Sequence, residues 1–120
     1  MSNTNIVTLS TIYGKTSVLA VGTSAQAVVS NDAVSNTVFK VNTLSISNID
    51  GTNAADITVD LFRSNTAYHI AKTVSVPADA TLLVITKDNQ IYLQEGDSIR
   101  CTASASGDLE AVCSYEEIYS

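Results

Sequence analysis

Along most of the 120-residue chain, apolar and polar residues alternate with a period of two, the spacing of a strand with one buried face. Asn5 to Tyr13 and Thr16 to Gly22 read as strands rich in β-branched residues, on either side of a turn at Gly14-Lys15. Ala25 to Ser30 reads as a short strand or an edge segment, and Asn31 to Asn36 has the composition of a loop. From Thr37 to Ile49 the alternation slips: Phe39 and Val41 share one phase, Leu44 and Ile46 the other. A one-residue slip near Asn42-Thr43 marks either a β-bulge or a strand bending between two sheets. Asp50-Gly51-Thr52-Asn53 is a turn signature.

In the following run Ile57, Val59 and Leu61 take one face, and Thr58, Asp60 and Phe62 the other. Ser64-Asn65-Thr66 turns the chain into Ala67 to Val76, where Tyr68, Ile70 and Val74 share a face; Pro77 ends that strand because it has no N–H for a ladder. Leu82 to Ile85 is continuously apolar, as in a strand covered on both sides. Lys87 to Gln90 is a polar turn. The last two strands, Ile91 to Ala105 and Asp108 to Ile118, meet at Ala105-Ser106-Gly107-Asp108. With Gly107 at the centre of a hairpin, Ala103 faces Ala111, Cys101 faces Cys113 and Ile99 faces Tyr115, all six on the core side. No apolar period of 3.6 persists over three turns. The expectation is a single all-β domain over residues 1–120: an antiparallel β-sandwich, jelly-roll or immunoglobulin-like, with about eight to ten strands and little or no helix.

Composition narrows the function. Charged residues are only 15% of the chain, and Ser, Thr and Asn supply the polarity. The net charge of -6 leaves no basic stripe for displacing counterions from a nucleic acid, so none is expected as a partner. No stretch reaches 18 apolar residues, so no membrane span is expected. Met1-Ser2-Asn3-Thr4-Asn5 lacks the basic start and apolar run of a signal peptide, and no Asn begins an Asn-X-Ser/Thr acceptor. In that setting Cys101 and Cys113 are expected as reduced thiols packed as small core residues; a strained cross-strand disulfide is the alternative.

Chemistry-bearing constellations are sparse. His69, the one histidine, falls opposite in phase to Tyr68 and Ile70 and so faces solvent or a partner; no nucleophile elbow accompanies it. Asp50, Asn53 and Asp56 lack the spacing and closing Glu of a calcium loop, and read as a turn held by Asx hydrogen bonds. Glu95-Gly96-Asp97 reads as a tight turn with Gly96 at positive φ. Acidic residues after Arg100 (Asp108, Glu110, Glu116, Glu117) form either a solvated edge or a patch for a basic partner. Tyr68 and Tyr92 are the candidate platforms for a sugar ring, weakened by the lack of Trp. The chain is therefore expected to be no enzyme, with no catalytic or metal residues and no cofactor.

Three stretches carry a resemblance: Asn48 to Val59, Ala71 to Asp79 and Ile91 to Ala105, with Asp108 to Ile118 in the same pattern. Over residues 36–118 the chain resembles small virion-associated proteins of tailed phages, especially marine and cyanobacterial ones. Leu93-X-X-Gly96-Asp97-X-Ile99 also recurs in unrelated jelly rolls. The resemblance implies a decoration or cement protein on the capsid surface, assembled in the host cytoplasm and partnered by the major capsid protein. It further implies a homo-oligomer, with a trimer favoured. A neck, tail or fibre-base component is the alternative within the virion, and a carbohydrate-binding or adhesion module the alternative outside it. Residues 1–30 hold no acidic residue and one Lys, which suits either a docking segment or a buried edge strand.

Overall fold

The computed structural model describes residues 11–119 together with Val7. Among these, nine strands form two packed antiparallel sheets: β1 (Thr11–Ala20), β2 (Gln26–Ser30), β3 (Val38–Asn48), β4 (Ala55–Arg63), β5 (Thr66–Val76), β6 (Thr81–Ile85), β7 (Ile91–Leu93), β8 (Ser98–Ala103) and β9 (Leu109–Tyr119). A 3-10 turn, Lys87–Asn89, capped by the Thr86 hydroxyl, joins β6 to β7. The first sheet has the order β1-β9-β3-β6, with β7 also on β3; the second has the order β2-β8-β4-β5. The pairings are nested: β4 with β5, β3 with β6 and β7, β2 with β8, β1 with β9. One long hairpin has thus been rolled so that successive pairs fall in alternate sheets, which is the jelly-roll topology. Of the two strand orders the sequence left open, this is the one found.

The core follows from the alternation. Leu44, Ile46, Ile57, Ile85, Leu93 and Ile99 are fully buried between the sheets, each contributing roughly 1.5–3 kcal/mol. The slip in β3 is a bulge: Val41 pairs with Tyr115 and Thr43 with Ser114, leaving Asn42 as the extra residue. Phe39, Val41, Leu44 and Ile46 therefore all point inward despite their change of phase. Ser64 and Asn65, both at positive φ, make the two-residue turn of the β4–β5 hairpin. Asp50 accepts from the N–H groups of Thr52 and Asn53, the Asx turn expected there; these bonds hold its carboxyl below the usual carboxylate range.

Three expectations are corrected. Cys101 and Cys113 are not cross-strand neighbours: β8 lies between β2 and β4 in one sheet, β9 between β1 and β3 in the other. Gly107 does form a turn, at φ 85°, but it carries the chain from one sheet to the other. The crossing is pinned on both sides. Ala103 donates to the Gly22 carbonyl at 2.8 Å and Ser104 to that of Asp56 at 2.9 Å; beyond the turn, Ile49 donates to the Asp108 carbonyl at 2.7 Å. Alternation says only that both strands face one core, and an arch between sheets satisfies this as well as a hairpin does.

Second, Gly14-Lys15 is no turn. β1 runs straight through it, with Gly14 paired to Glu116 and Lys15 to Tyr115. The part of the expected first strand from Asn5 to Ser10, Val7 apart, lies outside the described residues. Third, Leu82 to Ile85 is not covered on both sides: β6 is an edge strand with Leu83 65% exposed. Leu82 and Val84 pack on the core, while Leu83 points away from it.

Candidate functional site

The residues singled out for chemistry do not converge. His69 is exposed on β5, opposite Asp60 across the ladder. Asp60 is itself buried and turned to Arg100, which donates from Nε at 2.9 Å and from Nη2 at 3.4 Å. The same guanidinium lies 3.8 Å over the Phe62 ring. The carboxylate beside His69 is thus committed to a cation, and the pair lacks the arrangement of a triad. The alternation puts Asp60 and Phe62 together on the face opposite Ile57, Val59 and Leu61 but does not show their closure by Arg100. The signal was the Asp at a strand's centre, which needed a cross-strand cation.

Tyr68 and Tyr92, 57% and 45% exposed, sit on different sheets and form no joint platform. Cys101 and Cys113 are free and fully buried. Burial, with Cys113 and Asp60 nearby, pushes the Cys101 thiol up to about 12, and burial pushes that of Cys113 to about 11. Neither is a nucleophile at neutral pH. No group of three or more His, Cys, Asp or Glu side chains gathers into a metal-sized cluster among the described residues.

The most polar constellation is architectural. Asp97, fully buried, accepts from Arg63 Nε at 2.8 Å, Arg63 Nη2 at 2.6 Å and the Gln94 N–H at 2.8 Å. Gly96, at φ 85°, donates to the Asn31 carbonyl, and Asn31 in turn donates to the Asp97 carbonyl. The Asn31 amide also donates to the carbonyls of Thr37 and Leu93, and its oxygen accepts from the Ser35 and Thr37 hydroxyls. The turn read at Glu95-Gly96-Asp97 is therefore the knot that ties the loop after β2 to the start of β8. Its polar groups are mutually satisfied, which leaves little for a ligand.

Surfaces offer more than sites. β1 and β2 are the outer strands of the two sheets on the same side of the sandwich, linked where the Ser17 hydroxyl donates to the Val28 carbonyl at 2.6 Å. This side comes from the acid-free first thirty residues. The outward face of the first sheet exposes Val18, Leu83 and Val112 at 72%, 65% and 41%. Among the described residues, its charged side chains within the span from Gly14 to Ala20 are Glu110, Glu116 and Lys40, the last two 3.9 Å apart.

No family model matches the chain, and no curated protein matches it. Solved structures do. A chain of the Bacillus endospore appendages, a novel family of disulfide-linked pili, superposes with a TM-score of 0.53 at 12% identity, covering 91% of this chain and 88% of that one. A chain of the acid-stable capsid of Helicobacter pylori bacteriophage KHP30 gives 0.52 at 7% identity, covering 92% and 89%. At these identities the likeness is one of fold. This chain has the sandwich fold of a phage capsid chain and of a pilus chain.

Proposed function

We propose that the chain is a non-enzymatic structural protein of a tailed-phage virion, a decoration or cement protein that binds the outer surface of the capsid shell and stabilises it. The observation that carries this reading is the jelly roll shared over nearly the whole of both chains with a protein of the KHP30 capsid. The composition supports it: few charges and many hydroxyls. The partner is the major capsid protein, met by the side that carries β1 and β2. Edge strands there present backbone groups for pairing, without the acidic repulsion of the rest of the chain.

Purified protein added to particles stripped of it should sediment with the shell in many copies and raise the temperature at which the shell opens. Removing residues 1–12, which takes the start of β1 with it, should weaken that binding; full occupancy by the shortened chain would exclude docking through this segment. A few copies bound at one vertex would move the protein to the neck or tail.

The pilus chain supports a second reading, a subunit of an extracellular filament. A disulfide link between copies through Cys101 or Cys113 would have to draw on a thiol that is fully buried. Filaments in negatively stained purified protein would favour this reading, and discrete particles would not.

A further inference from the structure

Registers in the first sheet align its outward side chains in rows that cross β1, β9, β3 and then β7 or β6. One row reads Gly14, Glu116, Lys40, Tyr92. Another reads Val18, Val112, Ser45, Leu83. Each row is complementary to its own reverse. We propose that this face packs against the same face of a second copy, about a two-fold axis parallel to the strands and lying between β9 and β3.

Such an axis keeps each row at its own level and reverses its order. In the first row, Tyr92 of one copy covers Gly14 of the other, and Glu116 meets Lys40, twice by symmetry. In the second row, Leu83 meets Val18, and Val112 lies over Ser45. Large meets small, acid meets base and apolar meets apolar. The other in-plane axis, perpendicular to the strands, sets Glu110 of one copy over Glu116 of the other when it crosses β9 at Cys113, and like charges repel. Facing sheets pack about 10 Å apart and about 30° off parallel, a rotation that leaves the rows facing each other near the axis.

Two features of the single chain gain a reason from this pairing. Gly14 sits in mid-strand without positive φ, and a Cβ there would meet nothing within 4 Å. Glycine weakens a strand, and no described residue of its own chain requires it; a close approach by a second copy would. Four residues further along β1, a hollow of about 310 Å³ bordered by Val18, Ala20, Glu110 and Val112 lies open on this face, where the axis delivers Leu83 of the other copy. The Lys40–Glu116 pair is part-exposed, with side chains 28% and 32% accessible, so each charge retains room for a second partner.

The contact goes beyond shell docking, which uses the β1–β2 side, and it makes a pair the basic unit where the resemblance implies a trimer. Sedimentation equilibrium of the purified full chain tests it without a capsid. The expected mass is twice the 12.6 kDa of the chain, falling to the single mass in Leu83→Glu, with the circular dichroism of a folded β protein retained. Val34→Glu, in the exposed loop between β2 and β3, should leave the doubled mass intact. Lys40→Glu alone and Glu116→Lys alone should each be monomeric, one carrying only carboxylates at the two positions and the other only cations. Mixed in equal amounts they should restore the doubled mass, which an effect inside one chain cannot produce. Gly14→Val should raise the melting temperature of the monomer yet weaken the pair. A single or tripled mass for the unaltered chain into the millimolar range would overturn the proposal, and so would a mixture that fails to re-associate. Loss of shell binding by a chain that still pairs would overturn the docking reading alone.

Discussion

Cys101 and Cys113 look into one core from opposite sheets. Cys101 stands in β8 between Gln26 and Val59, and Cys113 in β9 between Ser17 and Leu44. Both thiols are held neutral by burial, with pKa values raised to about 12 and about 11. The folded protein therefore binds these protons more tightly than the unfolded chain, whose thiols titrate near 9. Their contribution to stability is complete below pH 9 and is lost as pH rises from there through 11 and 12. Urea midpoints should fall between about pH 9 and 11, and the fall should shrink in the Cys101→Ala, Cys113→Ala double variant. At about pH 8 a thiol reagent should find no reactive cysteine in the folded protein and both after unfolding. Rapid labelling of native protein would contradict the burial.

Arg63 and Asp97 close the knot beneath β8. Asp97→Ala leaves a part-buried guanidinium and the Gln94 N–H without their acceptor, at a cost of about 2–4 kcal/mol. The urea midpoint should drop accordingly. Arg63→Lys should recover only part of the loss, since an ammonium cannot reproduce the two-pronged contact at 2.8 and 2.6 Å.

Deleting Asn42 should be far worse than replacing it. As the extra residue of the bulge, it lets Phe39 and Val41 share the core with Leu44 and Ile46. Without it, one half of β3 turns its apolar side chains to solvent. The deletion should give insoluble or unfolded protein. Asn42→Ala should fold, losing only the hydrogen bonds to Glu116 and from Gln90, at about 1 kcal/mol. Soluble, cooperatively folded deletion protein would show that the register is not fixed this way.

Thr73 stands at φ 53° in β5, a left-handed conformation that crowds a β-branched side chain. The ladder shifts register there, and the Thr73 N–H donates to the Thr58 hydroxyl at 3.0 Å. Thr73→Asn, which tolerates this conformation, should stabilise by up to about 1 kcal/mol, read as a rise in melting temperature of a few degrees. A fall would mean the threonine side chain is held by something beyond its backbone.

Which residues face the core was largely legible in the sequence; which strands touch was not. The bulge near Asn42, the stop at Pro77, the Asx turn at Asp50 and the positive φ of Gly96 are all local effects, decided by a few consecutive residues. Strand partners are decided by the roll of the whole chain. The Ile99-Cys101-Ala103 and Ala111-Cys113 phases read correctly while their supposed pairing did not exist. Leu83 misled for a related reason, since an apolar residue on an exposed face imitates one in a doubly covered strand. The closure of Asp60 by Arg100 spans 40 residues, and the rows on the first sheet join four strands; neither leaves a mark in any single segment.

Cryo-electron microscopy of virions produced with and without this protein tests the functional account most directly. The account predicts ordered jelly-roll density in many copies over the shell, and shells that open at lower temperature when the protein is missing. Unchanged shells, or density confined to one vertex or to the tail, would contradict it.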